Sequence, residues 1–529
     1  MNRINILDCT LRDGGYCNQW EFGYENIKKI TNGLVTSGID VIECGFLTDK
    51  VTYDKDVSKF TTLKEIGDII PVERGGKLFV AMVNYGEYNI DKLPNFDGTS
   101  IDGLRVAFHK KDIDGALDMC QAIKEKGYKV FVQPMVSLCY TDEEFIQMIR
   151  RVNTMEPYAF YIVDSFGMMK RKDLLRLFYM VEHNLKDNIW IGFHSHNNMQ
   201  LAYSNAQSLI DEQTNRDLIL DSSIYGMGRG AGNLNTELFV EYLNENAGKT
   251  YQVKPLLTIV DEILNGFYQQ NYWGYSLPNY LSAAYRTHPN YASYLDDKKT
   301  LTVESMAELF ALMEESKRYE FDKAYIEELY LRYMAAEQVH DMRRMDLKEK
   351  LKGKKVLLVA PGRSSYDEKD KIIKFSKQED VITISINMEY QYADTDFIFL
   401  SNMRRLRELK SDVYPKCIVT SNISADGVYL KTCYGDLVNK EVAVKDNAGM
   451  MAIKFMMQMG VENIYLAGFD GYSHDAKENY ADDYVAYVTR NAILDEMNTG
   501  MGKVLADFMK QAHISFLTEQ KYLKIDKGE

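Results

Sequence analysis

Ile189-Trp190-Ile191-Gly192-Phe193-His194-Ser195-His196-Asn197-Asn198 is an apolar run that ends in two histidines. The apolar part reads as a buried strand. Histidines at i and i+2 point to the same side of an extended backbone. At the C-terminal end of a strand they offer two imidazole nitrogens to one divalent metal. A carboxylate is still needed. Its expected donor lies far upstream, in Leu7-Asp8-Cys9-Thr10-Leu11-Arg12-Asp13-Gly14-Gly15. Residues 1–248 then read as a scaffold that joins the two stretches. An isolated His-x-His pair also fits a strand end with two satisfied polar side chains, so its surroundings decide.

Those surroundings alternate. Strand-like runs occur at residues 4–9, 41–46, 78–83, 103–108, 129–136, 159–163, 189–193 and 217–221, and helical spacing separates most of them, as at 26–37, 113–126 and 141–154. Near-continuous apolar strands between helices indicate a parallel sheet. About eight of them in about 240 residues match a TIM-type (β/α)8 barrel. Residues 10–22 read as a long glycine-containing loop. Asp13, Glu43, Asn84, His109, Gln133, Asp164, His194 with His196, and Asp221 all follow strands. Such positions share one mouth in a barrel. Polar residues follow strands in any protein, so only their convergence carries weight. The loop Gly226-Met227-Gly228-Arg229-Gly230-Ala231-Gly232-Asn233 precedes a helical segment, whose N-terminus would face the site. No Lys-Ser/Thr pair follows, so it is not a P-loop.

The chain has 529 residues, too many for one core. It is 46% hydrophobic and 26% charged, with net charge -14. That balance and the lack of a dense Lys/Arg run argue against nucleic acid and anionic membranes as partners. No apolar run is long enough to span a membrane, and the N-terminus lacks a signal peptide pattern. Seven cysteines without a CxxC pair fit reduced thiols in a cytoplasm. Cys9, Cys17 and Cys44 near the mouth are expected to be buried and inert.

Residues 249–345 read as a helical extension of the barrel. The segment 341–355 is charged and marks a linker. Residues 355–529 read as a second, open Rossmann-like α/β domain, with strands at 355–360, 381–387, 397–401 and 463–467. Its site is expected at the strand ends, near Gly362, Ser364, Asn387, Ser401 and Asp470.

Asp13, His194 and His196 supply one carboxylate and two imidazoles. That set suits Mn²⁺ or Mg²⁺, with Fe²⁺, Zn²⁺ or Co²⁺ as alternatives, and leaves positions open for a substrate. Arg12, beside Asp13, would stabilise negative charge on an enolate oxygen together with the metal. Glu43 and Asp164 either orient these groups or act directly.

Residues 6–16 (Ile-Leu-Asp-Cys-Thr-Leu-Arg-Asp-Gly-Gly-Tyr), the Phe-His-Ser-His-Asn-Asn stretch and the Gly-Met-Gly-Arg-Gly-Ala-Gly-Asn loop together resemble the DRE-TIM metallolyase superfamily. That group includes hydroxymethylglutaryl-CoA lyase, isopropylmalate and homocitrate synthases and 4-hydroxy-2-oxovalerate aldolase. The resemblance is greatest to the aldolase branch, which also has Arg-Asp-Gly where others have Arg-Asp-Glu. It implies Asp13, His194 and His196 as metal ligands, with Asn233 binding the metal or its water shell. It also implies Arg12 as stabiliser of a pyruvate enolate. The aldolases carry a histidine as proposed base where this chain has Tyr16, which could move a proton only with a lowered pKa or through water. An aldolase tyrosine of the helical region corresponds loosely to Tyr275. The lyase loop cysteine has no counterpart here. The implied activity is a metal-dependent aldolase on a 4-hydroxy-2-oxo acid, with self-association left open. Two alternatives remain: a Claisen-type acyl-CoA/2-oxo acid synthase on the same site, or a glycosyl- or nucleotide-transferring activity in residues 355–529. By pattern, that last domain is similar to sialyltransferase-like and pterin-pyrophosphokinase-like proteins.

Overall fold

Near-continuous apolar strands need cover on both faces, and a closed barrel ringed by helices provides it. The computed structural model describes residues 4–212, 214–298, 300–334, 343–481 and 491–521. They divide into two compact units, Met1–Ser293 with Glu314–Phe321, and Tyr294–Met313 with Asp322–Glu529. The helical stretch after the barrel is therefore shared between the units. Residues 335–342 of that stretch, including the start of the charged segment, lie outside the described residues.

The first unit holds β1 (Ile4–Asp8), β2 (Val41–Leu47), β3 (Lys59–Phe60), β4 (Leu78–Asn84), β5 (Gly103–Phe108), β6 (Lys129–Pro134), β7 (Ala159–Asp164), β8 (Trp190–Ser195) and β9 (Leu218–Ser222). All pair in parallel. β1 pairs with β9 on one side and with β2 on the other, closing a ring of eight strands, with the short β3 appended to β2. This is the expected (β/α)8 barrel. Alternation along the strands fills two layers. Leu7, Val41, Val80, Phe131, Tyr161 and Ile219 fill the interior. Ile6, Ile42, Phe79, Phe160 and Ile162 pack outward under the helices. The helices carry recognisable stop and start signals. Tyr24–Ser37 ends on Gly38, whose left-handed backbone lets its N–H reach Leu34 O and Val35 O. Asp142–Met155 begins with a Thr141–Glu144 capping box.

One local expectation is corrected. The stretch read as a loop holds two helical turns, Thr10–Asp13 and Gly15–Asn18. Asp8 causes the first: its carboxylate accepts from the Thr10 N–H at 3.0 Å, and Asp13 N–H then closes on Cys9 O at 2.8 Å. Turns of four residues are shorter than the window in which helical periodicity can be read.

In the second unit, β10 (Lys355–Val359), β11 (Val381–Ile386), β12 (Phe397–Leu400), β13 (Cys417–Thr420), β14 (Leu430–Thr432), β15 (Asn463–Ala467) and β16 (His513–Phe516) form an open parallel sheet. Its order is β14-β13-β12-β11-β10-β15-β16. The order reverses at β10 and β15, where open α/β sheets place their crevice. Gly362, Asn387, Arg405, Asn447 and Asp470 line one cavity there. Asp470 accepts from the Ser364 N–H at 2.6 Å and also from its hydroxyl. Burial pushes the Asp470 carboxyl up, against those two bonds. β13, β14 and β16 were not anticipated from the sequence.

The barrel interior shows how tightly this packing is set. Tyr161 is fully buried, and its register partner is Gly192. A Cβ on Gly192 would lie 2.3 Å from the Tyr161 ring. Gly192→Ala should therefore overpack the core and cost about 1–3 kcal/mol. Urea unfolding of the full chain measures this; an unchanged midpoint would contradict the packing described.

Candidate metal centre

β1 and β8 lie on either side of β9 in the ring, so the turn after β1 and the end of β8 open on the same mouth. Asp13 closes the Thr10–Asp13 turn, and His194 sits near the end of β8 with His196 just beyond it. All three are buried. The Nε2 atoms of His194 and His196 lie 3.7 and 3.5 Å from Asp13 Oδ2. One ligand atom from each of the three lies within 4.8 Å of the others. The two rings stand at 88° to each other, so their nitrogens converge from different directions.

The surrounding bonds fix these atoms. His194 Nδ1 donates to Asp221 Oδ2 at 2.9 Å, which sets the tautomer whose Nε2 faces Asp13. His196 N–H donates to Asp164 O at 3.1 Å. The Asp164 carboxylate accepts from the N–H groups of Met168 and Met169, each at 3.0 Å. Burial nevertheless carries it up to about 7. Asp164 thus shapes the loop after β7 and holds His196 through its backbone. The glycine-rich loop latches onto the same strand end. Asn197 N–H donates to Gly232 O at 2.8 Å, and Asn198 Oδ1 accepts from Ala231 N–H at 2.7 Å. Asn233 bridges to the backbone of His196, and its amide donates to Met227 O at 3.2 Å. A Cβ on Gly228 would meet Asn233 Nδ2 at 2.2 Å and Asp13 Oδ2 at 3.4 Å. Only glycine lets the backbone pass so close to the ligand atoms.

Behind the cluster runs a buried chain of charges. Arg12 Nη1 approaches Asp13 Oδ1 at 3.2 Å, and Arg12 Nε donates to Glu43 Oε2 at 2.9 Å. Arg105 Nη1 lies 2.8 Å from the same Glu43 oxygen, and its Nη2 bonds Asp221. Asp221 in turn holds His194. Two guanidiniums face three carboxylates, so the buried cluster carries net negative charge, which a cation would offset. Burial alone would push the Asp13 carboxyl up. Arg12, His196, His194 and Arg229 outweigh it and hold Asp13 well below the usual carboxylate range. Burial and Arg229 drive His196 down to about 3 despite Asp13, leaving it neutral as a ligand must be.

The donor set fits a divalent metal. Both Asp13 oxygens and Asn233 Oδ1 are buried with no hydrogen-bond partner among the described residues. Leaving such atoms without a hydrogen bond is costly, and a bound cation would satisfy them. One carboxylate, two imidazoles and one amide oxygen suit the Mn²⁺–Zn²⁺ series and Mg²⁺.

The remaining expectations fall in different places. Glu43 lies behind Arg12 and orients it. Tyr16 is 42% exposed at the mouth, 4.8 Å from the Trp20 ring and under the Arg229 guanidinium at 5.4 Å. Tyr275 is 57% exposed, and no hydrogen bond or ion pair ties it to the ligand cluster among the described residues. The helix Thr236–Asn246 follows the glycine-rich loop. Its first residue, Thr236, donates from its hydroxyl to Asp8 Oδ2 at 2.7 Å. Cys9 and Cys44 are buried and Cys17 is partly so, and burial raises all three thiols, Cys17 to about 12. The sequence reading missed Arg105; its only signal was a charge inside the apolar strand Gly103–Phe108.

Residues 3–260 match the HMGL-like family model. The barrel belongs to the DRE-TIM metallolyase superfamily. Among curated relatives of this metallolyase barrel, the 4-hydroxy-2-oxovalerate aldolase of Geobacillus genomosp. 3 is 28% identical over 245 residues, covering 46% of this chain and 70% of that protein. The 4-hydroxy-2-oxovalerate aldolase of Bacillus cereus is 26% identical over 287 residues, covering 51% and 82%. A solved N-terminal domain of a candidate aldolase from Bacteroides vulgatus is 27% identical, covers 55% of this chain and 96% of its own, and has a TM-score of 0.47. The metallolyase barrel is thus a lyase- or aldolase-type enzyme domain. No helix among the described residues is long and apolar enough to cross a membrane.

Two variants test the centre. Asp221→Asn keeps an acceptor for His194 but weakens its hold, and should lower affinity for a divalent metal about 10–100-fold. Arg105→Ala leaves Asp221 buried without its guanidinium, and Glu43 with Arg12 alone, and should destabilise the chain by about 3–5 kcal/mol. Metal titration and urea unfolding read these out.

Proposed function

We propose that the barrel is a divalent-metal-dependent aldolase that cleaves, or in reverse forms, a 4-hydroxy-2-oxo acid, with pyruvate and an aldehyde as the other side of the reaction. The observation that carries this reading is the buried Asp13–His194–His196 cluster with Arg12 locked beside it by Glu43. Asp13, His194 and His196, with Asn233, would hold the metal, which when bound supplies a Lewis acid for the 2-oxo end of the substrate. Arg12 cannot swing away, because Glu43 holds its Nε. It offers a fixed positive charge where an enolate oxygen would form, and such preorganisation needs no rearrangement as charge develops. In cleavage the C4 hydroxyl loses its proton, the C3–C4 bond breaks, and its electrons form the enolate. A proton returned to C3 then gives pyruvate. Tyr16, beside Arg229 at the mouth, is placed to carry the first proton directly or through water. The 4-hydroxy-2-oxovalerate aldolases among the relatives support the substrate class.

The test is metal analysis of the purified chain with a pyruvate-release assay on short 4-hydroxy-2-oxo acids. Metal should be stoichiometric and lost in the His194→Ala/His196→Ala double variant. Chelation should abolish pyruvate release, and added metal should restore it. Arg12→Lys keeps a charge but loses the planar fork, so kcat should fall about 10²–10³-fold with metal content intact. A metal-loaded wild type that releases no pyruvate from any such acid would refute the reading.

A further inference from the structure

Cleavage of a 4-hydroxy-2-oxo acid makes two demands. The enolate side needs a cation and a fixed positive charge. The oxygen on C4 needs a partner as negative charge passes through it. The metal cluster and Arg12 face the first demand only. Besides Tyr16, placed to carry the proton, the residues around the mouth include a group suited to the second, and it comes from the helical stretch that follows the barrel.

His288 precedes the helix Pro289–Asp297. Its backbone N–H donates to Arg318 O at 2.7 Å, which fixes the residue in place. Its ring packs against Phe166 at 5.3 Å and Phe321 at 6.1 Å. Phe166 follows β7, in the loop shaped by Asp164, so His288 stands over the loop that holds His196. The charged and titratable groups in electrostatic range of His288 are Arg229, His109 and His196. Arg229 belongs to the glycine-rich loop, donates to Ser165 O at 2.9 Å and covers Tyr16. His109 follows β5. These residues come from several different strand ends and face the same mouth.

The backbone settles the tautomer. Asn290 N–H, in the first turn of the helix, donates to His288 Nδ1 at 3.1 Å. Nδ1 is thus an acceptor, and the ring proton sits on Nε2. Nε2 has no hydrogen-bond partner among the described residues. Burial, together with Arg229, drives His288 down to about 3, so the ring is neutral across the physiological range. A neutral imidazole held at a helix N-terminus cannot serve as a general base through Nε2, because that nitrogen already carries its proton. It is a hydrogen-bond donor, a role in which enzymes use neutral histidine to polarise a carbonyl.

We propose that His288 is a catalytic hydrogen-bond donor, its Nε2–H bonding the oxygen on C4 of the substrate as that oxygen passes between hydroxyl, alkoxide and aldehyde carbonyl. The proposal rests on the aldolase reading above. His288 gives up no proton and takes none. The C4 hydroxyl proton leaves to the carrier, the C3–C4 electrons go to the enolate, and His288 stabilises the charge on the C4 oxygen between those events.

The experiment compares wild type, His288→Phe and His288→Gln, all metal-loaded, in the pyruvate-release assay. His288→Phe keeps an aromatic ring between Phe166 and Phe321. It should lower kcat about 10²–10³-fold, as loss of one such donor does, with metal content and unfolding midpoint unchanged. His288→Gln restores a neutral N–H donor and should recover to within about tenfold of wild type. Nitrogen NMR of the histidine rings in the metal-free chain should show His288 neutral, protonated on Nε2, from pH 5 to 8. Wild-type kcat in His288→Phe would overturn the proposal while leaving the aldolase reading standing. So would an imidazolium, or a proton on Nδ1, at pH 6. A metal-loaded wild type that releases no pyruvate would remove the aldolase reading and the proposal together.

Discussion

The site depends on one constraint: charged groups inside an apolar barrel must be paired. Arg12, Glu43, Arg105, Asp221 and His194 form a continuous buried chain in which each member is held by the next. Desolvating these charges costs several kcal/mol each, so the chain is a poor source of stability. Its value is positional. It links the turn after β1 to β2, β5, β9 and β8, and so turns barrel closure into a fixed separation between a guanidinium and the three candidate ligands Asp13, His194 and His196. A change at Arg105, which touches no ligand, would be felt at His194 through Asp221 and at Arg12 through Glu43.

The glycine-rich loop answers a different requirement. Several bonds and bridges join residues 223–235 to the end of β8 and to each other. They put a main chain against the Asp13–His194–His196 cluster. Gly228 is where that approach is closest, beside Asp13 Oδ2 and the Asn233 amide. The amide oxygen of Asn233 is left unpaired toward the cluster because its nitrogen is already committed to Met227 O. The loop also carries Arg229, so the element that packs against the candidate metal centre also sets the electrostatics of the mouth.

The eight barrel strands were legible in the sequence because each is buried on both faces and reads as an apolar run between helical spacings. His194 and His196 were legible because a period of two at a strand end has one geometric meaning. Other features were hidden for physical reasons. The Thr10–Asp13 turn is shorter than a helical period and forms because of Asp8 behind it. β13 and β14 have four and three residues, with Pro415 just before the first, and resemble turns more than strands. Arg105 lies in an apolar run, and its partners Glu43 and Asp221 are far from it in sequence. Only the closed ring brings them together. The role of Asn290 N–H in setting the His288 tautomer depends on a backbone bond that side-chain identities do not encode.

The two ends of the proposed substrate meet different kinds of structure. On the aldolase reading, the pyruvate end would face strand ends and a turn braced by the buried charge chain, where a displacement would break several desolvated pairs at once. The C4 end would face Tyr16, Arg229 and His288, which sit on turns, a loop and the helical region, with Tyr16 partly exposed. Strand-borne groups inside a barrel are costly to vary, because each is a partner of another buried charge. Loop-borne groups at the mouth carry no such debt. On the aldolase reading, enolate chemistry would be fixed by the physics of the barrel, while the aldehyde fragment would be selected by side chains that can change without disturbing the Asp13–His194–His196 cluster. The neutral state of His288 fits that division. A donor without charge can sit near Arg229 without repelling it, and so leaves the fixed positive charge of the mouth free to act on the substrate.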